Sequence, residues 1–410
     1  MSVSEWKEVK LGEVCNIRRG SSPRPIIDYL SNSGMPWVKI ADATESNTRF
    51  IEKTNEFIKL SGIGKSVVVN PGSLILSNSG TAGLPKFMGI KACIHDGWQV
   101  FDNLQGININ YLYYELLFIR NQLLHGAYDS TMKNLTLDMV RDASIDLPPI
   151  NEQITIAHSL SCLDDKIELN NHINKTLEEM AQAIFKSWFV DFEPFQDGGF
   201  EESELGMIPK GWRVVSIQEY VSEIKNGGTP SRKKEEYWCS QDIPWIKTGE
   251  ICNGSIISCE EFISQEGLKN SSAKLLPKNT VLLAMYGATA GKVGLLRFEA
   301  TTNQACCAMI CENVNKSIYL YLYLLQNQTY IESLAVGAAQ QNLSKDTISK
   351  LQILLPNIDV FDTLPFEEIF NVIEDNLRQN QTLTAIRDSL LPKLMSGEIR
   401  VPIEEVQSNV

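Results

Sequence analysis

Between residues 156 and 188 the chain places a seam residue at every third and fourth position in alternation: Ile156, Leu160, Leu163, Ile167, Asn170, Asn174, Leu177, Ala181, Ile184 and Trp188. A period of 3.5 held over so many turns predicts one long helix with a coiled-coil seam. A second seam runs through Phe366, Ile369, Ile373, Asn376, Asn380 and Leu383 to Leu390, and breaks the rule only at Arg387. Both seams carry two consecutive asparagine layers. A buried amide weakens a helix pair unless another amide answers it, so such layers fix register rather than strength. Asn170 and Asn174 are therefore expected near Asn376 and Asn380. The helices are expected to pack as an antiparallel coiled coil with pseudo-twofold symmetry and one globular domain at each end.

Outside the seams the pattern shortens to β-type runs punctuated by Gly and Pro, such as Ser66 to Val69, Ser73 to Leu76 and Val281 to Ala284. Helical stretches follow at Tyr111 to Leu124 and Ile318 to Leu334, and their Leu/Tyr faces are expected in the core. This α+β pattern occurs twice. Pro36-Trp37-Val38-Lys39 returns as Pro244-Trp245-Ile246-Lys247, Thr81-Ala82-Gly83 as Thr289-Ala290-Gly291, Lys133-Asn134-Leu135 as Gln341-Asn342-Leu343, and Leu147-Pro148 as Leu355-Pro356. All four pairs are 208 positions apart, which implies two copies of one domain. The chain then divides into a first globular domain at 1–150, a first coiled-coil helix as spacer arm at 151–194 and a linker at 195–206. A second globular domain at 207–356, a second helix with carboxy-terminal segment at 357–401 and a tail at 402–410 complete it. Pro148-Pro149 should stop the last strand of the first copy, with Asn151 capping the helix.

Charge sharpens this division. The net charge of −13 resides in the arms: residues 151–206 and 357–410 hold 3 and 4 basic against 12 and 10 acidic side chains. The globular copies are balanced, with 15 against 15 in 1–150 and 15 against 13 in 207–356. Basic faces on the copies can meet nucleic acid, whereas acidic arms suit protein docking or simple solvation. The nine cysteines lack CxxC spacing and read as reduced core residues, and no apolar run reaches the roughly 18 residues of a membrane span. A cytoplasmic protein is expected.

Catalytic patterns are missing their essential members. Gly62-Ile63-Gly64-Lys65-Ser66 resembles the end of a phosphate loop, but Lys59 occupies the place of its first glycine. In Asp146-Leu147-Pro148-Pro149-Ile150 no aromatic residue follows the prolines to stack on a flipped base. Glu8-x-Lys10 and Glu223-x-Lys225 lack the Pro-Asp dipeptide of a nuclease motif. His95, His125, His158 and His172 show no metal spacing, and Cys306, Cys307 and Cys311 have no histidine near them. No catalytic residue and no metal site is expected.

Several strings spread over the chain resemble the specificity subunits of type I restriction-modification systems. They are Trp6-Lys7-Glu8-Val9-Lys10-Leu11-Gly12-Glu13-Val14, Leu147-Pro148-Pro149-Ile150-Asn151-Glu152-Gln153-Ile154, Phe185-Lys186-Ser187-Trp188-Phe189-Val190-Asp191-Phe192, Glu204-Leu205-Gly206-Met207-Ile208-Pro209-Lys210-Gly211-Trp212 and Leu390-Leu391-Pro392-Lys393-Leu394-Met395-Ser396-Gly397-Glu398-Ile399. Asn357-Ile358-Asp359-Val360 departs from the Glu-Gln opening seen at Glu152-Gln153. The resemblance implies two target-recognition domains, each reading one half-site of a bipartite double-stranded DNA target, with the helices as a ruler. It implies a chain that is non-catalytic by itself and binds no cofactor. Two modification (methyltransferase) subunits would dock on the arms and use S-adenosylmethionine to methylate an adenine in each half-site. Restriction subunits would use ATP and Mg for translocation and cleavage. No membrane partner is implied.

Candidate DNA contacts are polar and basic loop residues at repeated places. They are Arg18, Arg19, Ser22 and Arg24 in the first copy, with Thr229, Ser231, Arg232, Lys233 and Lys234 in the second. At the 208 offset, Ser77, Asn78 and Ser79 face Met285, Tyr286 and Gly287, a divergence inside a retained frame that suits two readers of different half-sites. Lys133 and Asn134, with Gln340, Gln341 and Asn342, add amides and an ammonium fit for bases or phosphates. Trp37 and Trp245 are expected as core anchors.

Overall fold

The computed structural model describes residues 6–128, 134–335, 342–357, 360–361 and 363–402. Compactness divides the chain differently from its serial order. One unit comprises Met1–Leu169 with Asn380–Val410, the other Asn170–Gln379.

In the first unit a five-stranded sheet runs in the order Asn16–Arg19, Trp98–Asp102, Leu74–Ser77, Pro85–Met88, Phe50–Ile51. The second unit repeats it as Glu223–Asn226, Cys306–Ile310, Val281–Ala284, Val293–Leu296, Gly254–Ile256, again with only the last pair parallel. The central strands Leu74–Ser77 and Val281–Ala284 are buried along their whole length because both faces are covered. Leu74 and Leu76 enter one core and Ile75 the opposite one, as Val281 and Leu283 oppose Leu282 and Ala284 in the second copy. A second five-stranded sheet holds Met35–Val38 beside Ala92–Ile94 and Glu56–Ile58, and its three-stranded counterpart holds Ile243–Ile246 beside Thr301–Thr302 and Glu261–Ile263. Trp37 and Trp245 lie buried there.

The helical stretches are each broken once, as Ile109–Phe118 and Arg120–Tyr128, and as Val314–Gln326 and Gln328–Ser333. Asn108 and Asn313 cap them through their side chains. Tyr111 and Tyr319 are buried at the same place in each copy and donate their hydroxyls to the carbonyls of Asp146 (3.2 Å) and Leu354 (2.8 Å). Both bonds satisfy a polar tip inside an apolar face.

The first long helix covers Ile150–Phe189 and the second Phe366–Met395. The first starts one residue before the expected cap. The carbonyl of Pro149 accepts from the amides of Glu152 and Gln153, so Asn151 lies inside the helix. The second starts later than residue 357, after Pro365. In the second unit Asn376 donates to Asn174 Oδ1 at 2.8 Å and Asn170 donates to Gln379 Oε1 at 2.7 Å. Rising numbers on one helix meet falling numbers on the other, so the pair is antiparallel. Asn174 thus meets the expected Asn376, and Asn170 is answered by Gln379, one position before Asn380 in sequence.

Ion pairs lock each domain to its own helix. Arg297 is almost fully buried and donates to Glu374 (2.8 Å), Asn279 (2.9 Å) and Asn371 (2.6 Å), while Lys278 and Arg378 complete the shell of Glu374. In the first unit Arg49 holds Glu168 through two nitrogens, at 3.0 and 2.9 Å, and also pairs with Asp165. The irregular seam residue Arg387 reaches buried Asp164 at 2.6 Å, and Asp164 also accepts from Tyr114 at 2.6 Å. Arg400 closes on buried Glu152 at 2.6 and 2.9 Å.

Replacing Arg297 by Met leaves Glu374 with Lys278 and Arg378 alone and strips Asn279 and Asn371 of their donor. The expected cost is about 2 to 3 kcal/mol, read as a lower denaturant midpoint. Burial pushes the Glu374 carboxyl up, but hydrogen bonds from Lys278, Arg378 and Arg297 outweigh it and hold it below its ordinary 4.5. Its contribution is therefore complete above pH 4.5 and lost as pH falls through the lower folded value. Denaturation from pH 6 to pH 3 should show Glu374→Gln less stable at the upper end, with the difference closing toward the lower.

Candidate nucleic-acid interface

The end of the first-copy sheet carries a turn and a loop that close on each other. After the strand Asn16–Arg19, the chain passes Gly20 so near the opposing turn that an added Cβ would lie 2.1 Å from the His95 carbonyl oxygen. Only glycine fits such an approach. Ser22 then donates to Asp96 Oδ1 at 2.6 Å, Arg19 Nε donates to the Asp96 carbonyl at 2.7 Å, and Asn78 donates to the same carbonyl at 2.9 Å. The Arg24 guanidinium stands 3.7 Å from Asp96 Oδ2 and is 82% exposed. Ser22, Arg24, Trp37, Lys39, His95 and Asp96 line a cleft of about 550 Å³.

Electrostatics at this turn follow from the partners. The Ser22 hydroxyl, aided by the neighbouring charges of His95 and Arg19, holds the Asp96 carboxyl below its ordinary range against the effect of burial. Burial pushes the His95 imidazole down, and its Nδ1 accepts from the Gly97 amide at 2.8 Å. Arg18 pairs with Asp102 at 2.5 Å on the outer strand.

The second copy rebuilds the arrangement with different side chains. An added Cβ at Gly227 would lie 2.2 Å from the Asn303 carbonyl oxygen, and Thr229 donates to Gln304 Oε1 at 2.5 Å. Gly20 thus matches Gly227, Ser22 matches Thr229, and Asp96 matches Gln304. Arg24 therefore faces Ser231, not Arg232. Arg232 stacks on Trp238 at 3.5 Å and pairs with Glu261 at 2.5 Å, so its charge is engaged within the domain. Lys234 donates to Tyr237 at 2.9 Å, and Lys233 is exposed.

The divergent segment also shifts by one. Leu135 donates its amide to the Asn78 carbonyl and Leu343 to the Met285 carbonyl, so Asn78 matches Met285 and Ser79 matches Tyr286. The extra residue is Ala288, which lengthens the turn between Gly287 and Gly291 relative to Gly80 and Gly83. Ser77 and Asn78 are buried and occupied by internal bonds, which withdraws them from the surface offered to bases. Ser79 is half-buried, and Tyr286 is exposed and bridged to exposed Asn342. Asn134 is exposed beside Leu135. Lys133, Gln340 and Gln341 lie outside the described residues. Asp96 and Gln304 escaped the sequence reading, although they sit 208 positions apart with unlike chemistry. Among the described residues no group of three His, Cys, Asp or Glu side chains could hold a metal ion, and no helix is long and apolar enough to cross a membrane.

Residues 3–179 and 209–386 each match the family model for the type I restriction modification DNA specificity domain. The chain belongs to this family. As a specificity subunit it is 28% identical to the HindI type I restriction enzyme specificity subunit of Haemophilus influenzae, over 97% of this chain and all of that one. It is 27% identical to the MjaIX specificity subunit of Methanocaldococcus jannaschii, over 97% and 94% of the two chains. The crystal structure of a type I restriction-modification S subunit from M. genitalium shares the fold, with a TM-score of 0.61, 14% identity and coverage of 96% and 97%. The specificity subunit thus carries two DNA-recognition domains, and the two loop ends just described occupy corresponding places in them.

Gly20→Ala is expected to force the Asp96 turn away and destabilise the first unit by about 2 kcal/mol. Gly64→Ala, which meets nothing within 4 Å, should leave the unfolding midpoint unchanged. Thermal denaturation of the two variants checks the difference.

Proposed function

We propose that the chain reads a bipartite double-stranded DNA target, one half-site per domain, and directs adenine methylation and restriction performed by partner subunits. The single observation that carries this reading is one sheet order used twice, with chemically different side chains at matching loop ends. Such a design suits two half-sites of unlike sequence. Phosphate contacts from exposed residues such as Lys233 and Asn134 supply position, and base-facing residues such as Tyr286 supply sequence.

The chain is non-catalytic by itself in this reading. The helices serve as a ruler, since 40 residues at 1.5 Å rise span about 60 Å. Their acidic surface gives two modification subunits a docking site, and these carry S-adenosylmethionine. Restriction subunits bring ATP and Mg, and the assembly works in the cytoplasm. The relatives named above are specificity subunits over nearly the whole chain length, which supports the same assignment.

The experiment is co-expression with a modification subunit from the same genome, followed by single-molecule sequencing of methylated adenine. The expected result is a split motif with one methylated adenine in each half. A stable complex without methylation would contradict the reading, and a chain that binds DNA unaided with full specificity would favour a stand-alone regulator.

A further inference from the structure

The pair formed by residues 22 and 96 in the first copy, and by 229 and 304 in the second, is built alike and ends in opposite chemistry. In each, a hydroxyl on the first loop pins one oxygen of a side chain on the facing turn, at 2.6 Å for Ser22 on Asp96 and 2.5 Å for Thr229 on Gln304. The pinned side chain is left with one outer atom. For Asp96 that atom is Oδ2, an acceptor only. For Gln304 it is Nε2, a donor, while Oε1 retains a second lone pair.

An exposed carboxylate on a DNA-facing loop repels phosphates, so its presence needs a compensating contact. Orienting cations is one such contact. Arg19, however, already donates its Nε to the Asp96 backbone carbonyl, and its guanidinium is 3.9 Å from Oδ2. Arg24 stands at 3.7 Å, outside hydrogen-bond range. Oδ2 is thus surrounded by positive charge yet remains available to a donor.

We propose that position 96/304 is a base-reading position of the two domains. Asp96 Oδ2 accepts from the N4 amino group of a cytosine, and the Arg24 guanidinium beside it takes guanine O6 and N7. Gln304 instead pairs with adenine through N6 and N7. These are the major-groove partners that each side chain's geometry favours. Ser231, in the place of Arg24, leaves the second site without a guanine-seeking cation. The proposal rests on the reading of these loop ends as DNA faces.

The test uses the full chain with its modification subunit. Methylation motifs are mapped for the wild type, Asp96→Asn, Asp96→Gln and Gln304→Asp, and each complex is titrated against duplexes that differ from the wild-type motif at single base pairs. Asp96→Asn keeps the oxygen that Ser22 pins and turns the outer atom into a donor. The expected result is a change at one base pair of one half-site. Asp96→Asn and Asp96→Gln lose a C·G preference of about tenfold to a hundredfold, and Gln304→Asp loses an A·T preference in the other half only. An unchanged motif, or equal weakening on every duplex with or without loss of methylation, would overturn the proposal and leave these residues as supports of the loop. A wild-type complex without any split motif would instead overturn the DNA reading beneath it.

Discussion

The structure depends on a carboxylate carried by each long helix and held by an arginine from the domain that precedes it. Glu168 and Glu374 both stand two residues before a seam asparagine, buried Asn170 and half-buried Asn376. Arg49 holds the first and Arg297 the second. Burying such a charge is costly, and the cost is offset only when every oxygen finds its donor in one geometry. A slip of the helix by one residue would move the carboxylate about 100° around the axis and leave the arginine unanswered. The clamp therefore sets the angle at which a domain meets its helix, which a purely apolar contact would leave free to slide.

The same economy of form governs the two copies. Their cores are interchangeable in pattern: alternate strand residues feed two apolar layers, a capped Leu/Tyr helix covers the sheet, and a tyrosine hydroxyl ties that helix to the last strand. Polar side chains of unlike chemistry stand where the strands end, at the 22/96 and 79/134 loops and their counterparts. A frame satisfied by backbone bonds and apolar packing tolerates new side chains at its rim without losing stability. The proposed reading, with a different half-site for each of two domains of one fold, draws on that tolerance.

Each compact unit also draws on distant parts of the chain. The first domain is completed by residues beyond Asn380, through Arg387 on Asp164 and Arg400 on Glu152, with Leu394 and Met395 in its core. These contacts join residues more than two hundred positions apart. The packing of the first unit is therefore complete only with the carboxy-terminal segment in place.

Much of this was written in the linear pattern. The 3.5-residue period and paired asparagines announced two long helices, and repeated strings announced two like domains, because both signals are local or strictly periodic. Packing decided the remainder. The offset of 208 slips to 207 where Ala288 lengthens a turn, which moved Tyr286 opposite Ser79. Ser77 and Asn78 look like surface polar residues but spend their hydrogen bonds inside the fold. Arg232, a candidate DNA contact by its place in the sequence, is held by an indole and a carboxylate. Arg387 broke the seam rule because its partner, Asp164, lies on the other helix. The sequence alone determined the repeat, the helices and the family. Which polar side chains remain available at the domain rims was decided only by tertiary structure, because availability depends on which partner reaches each group first, and those partners come from remote segments.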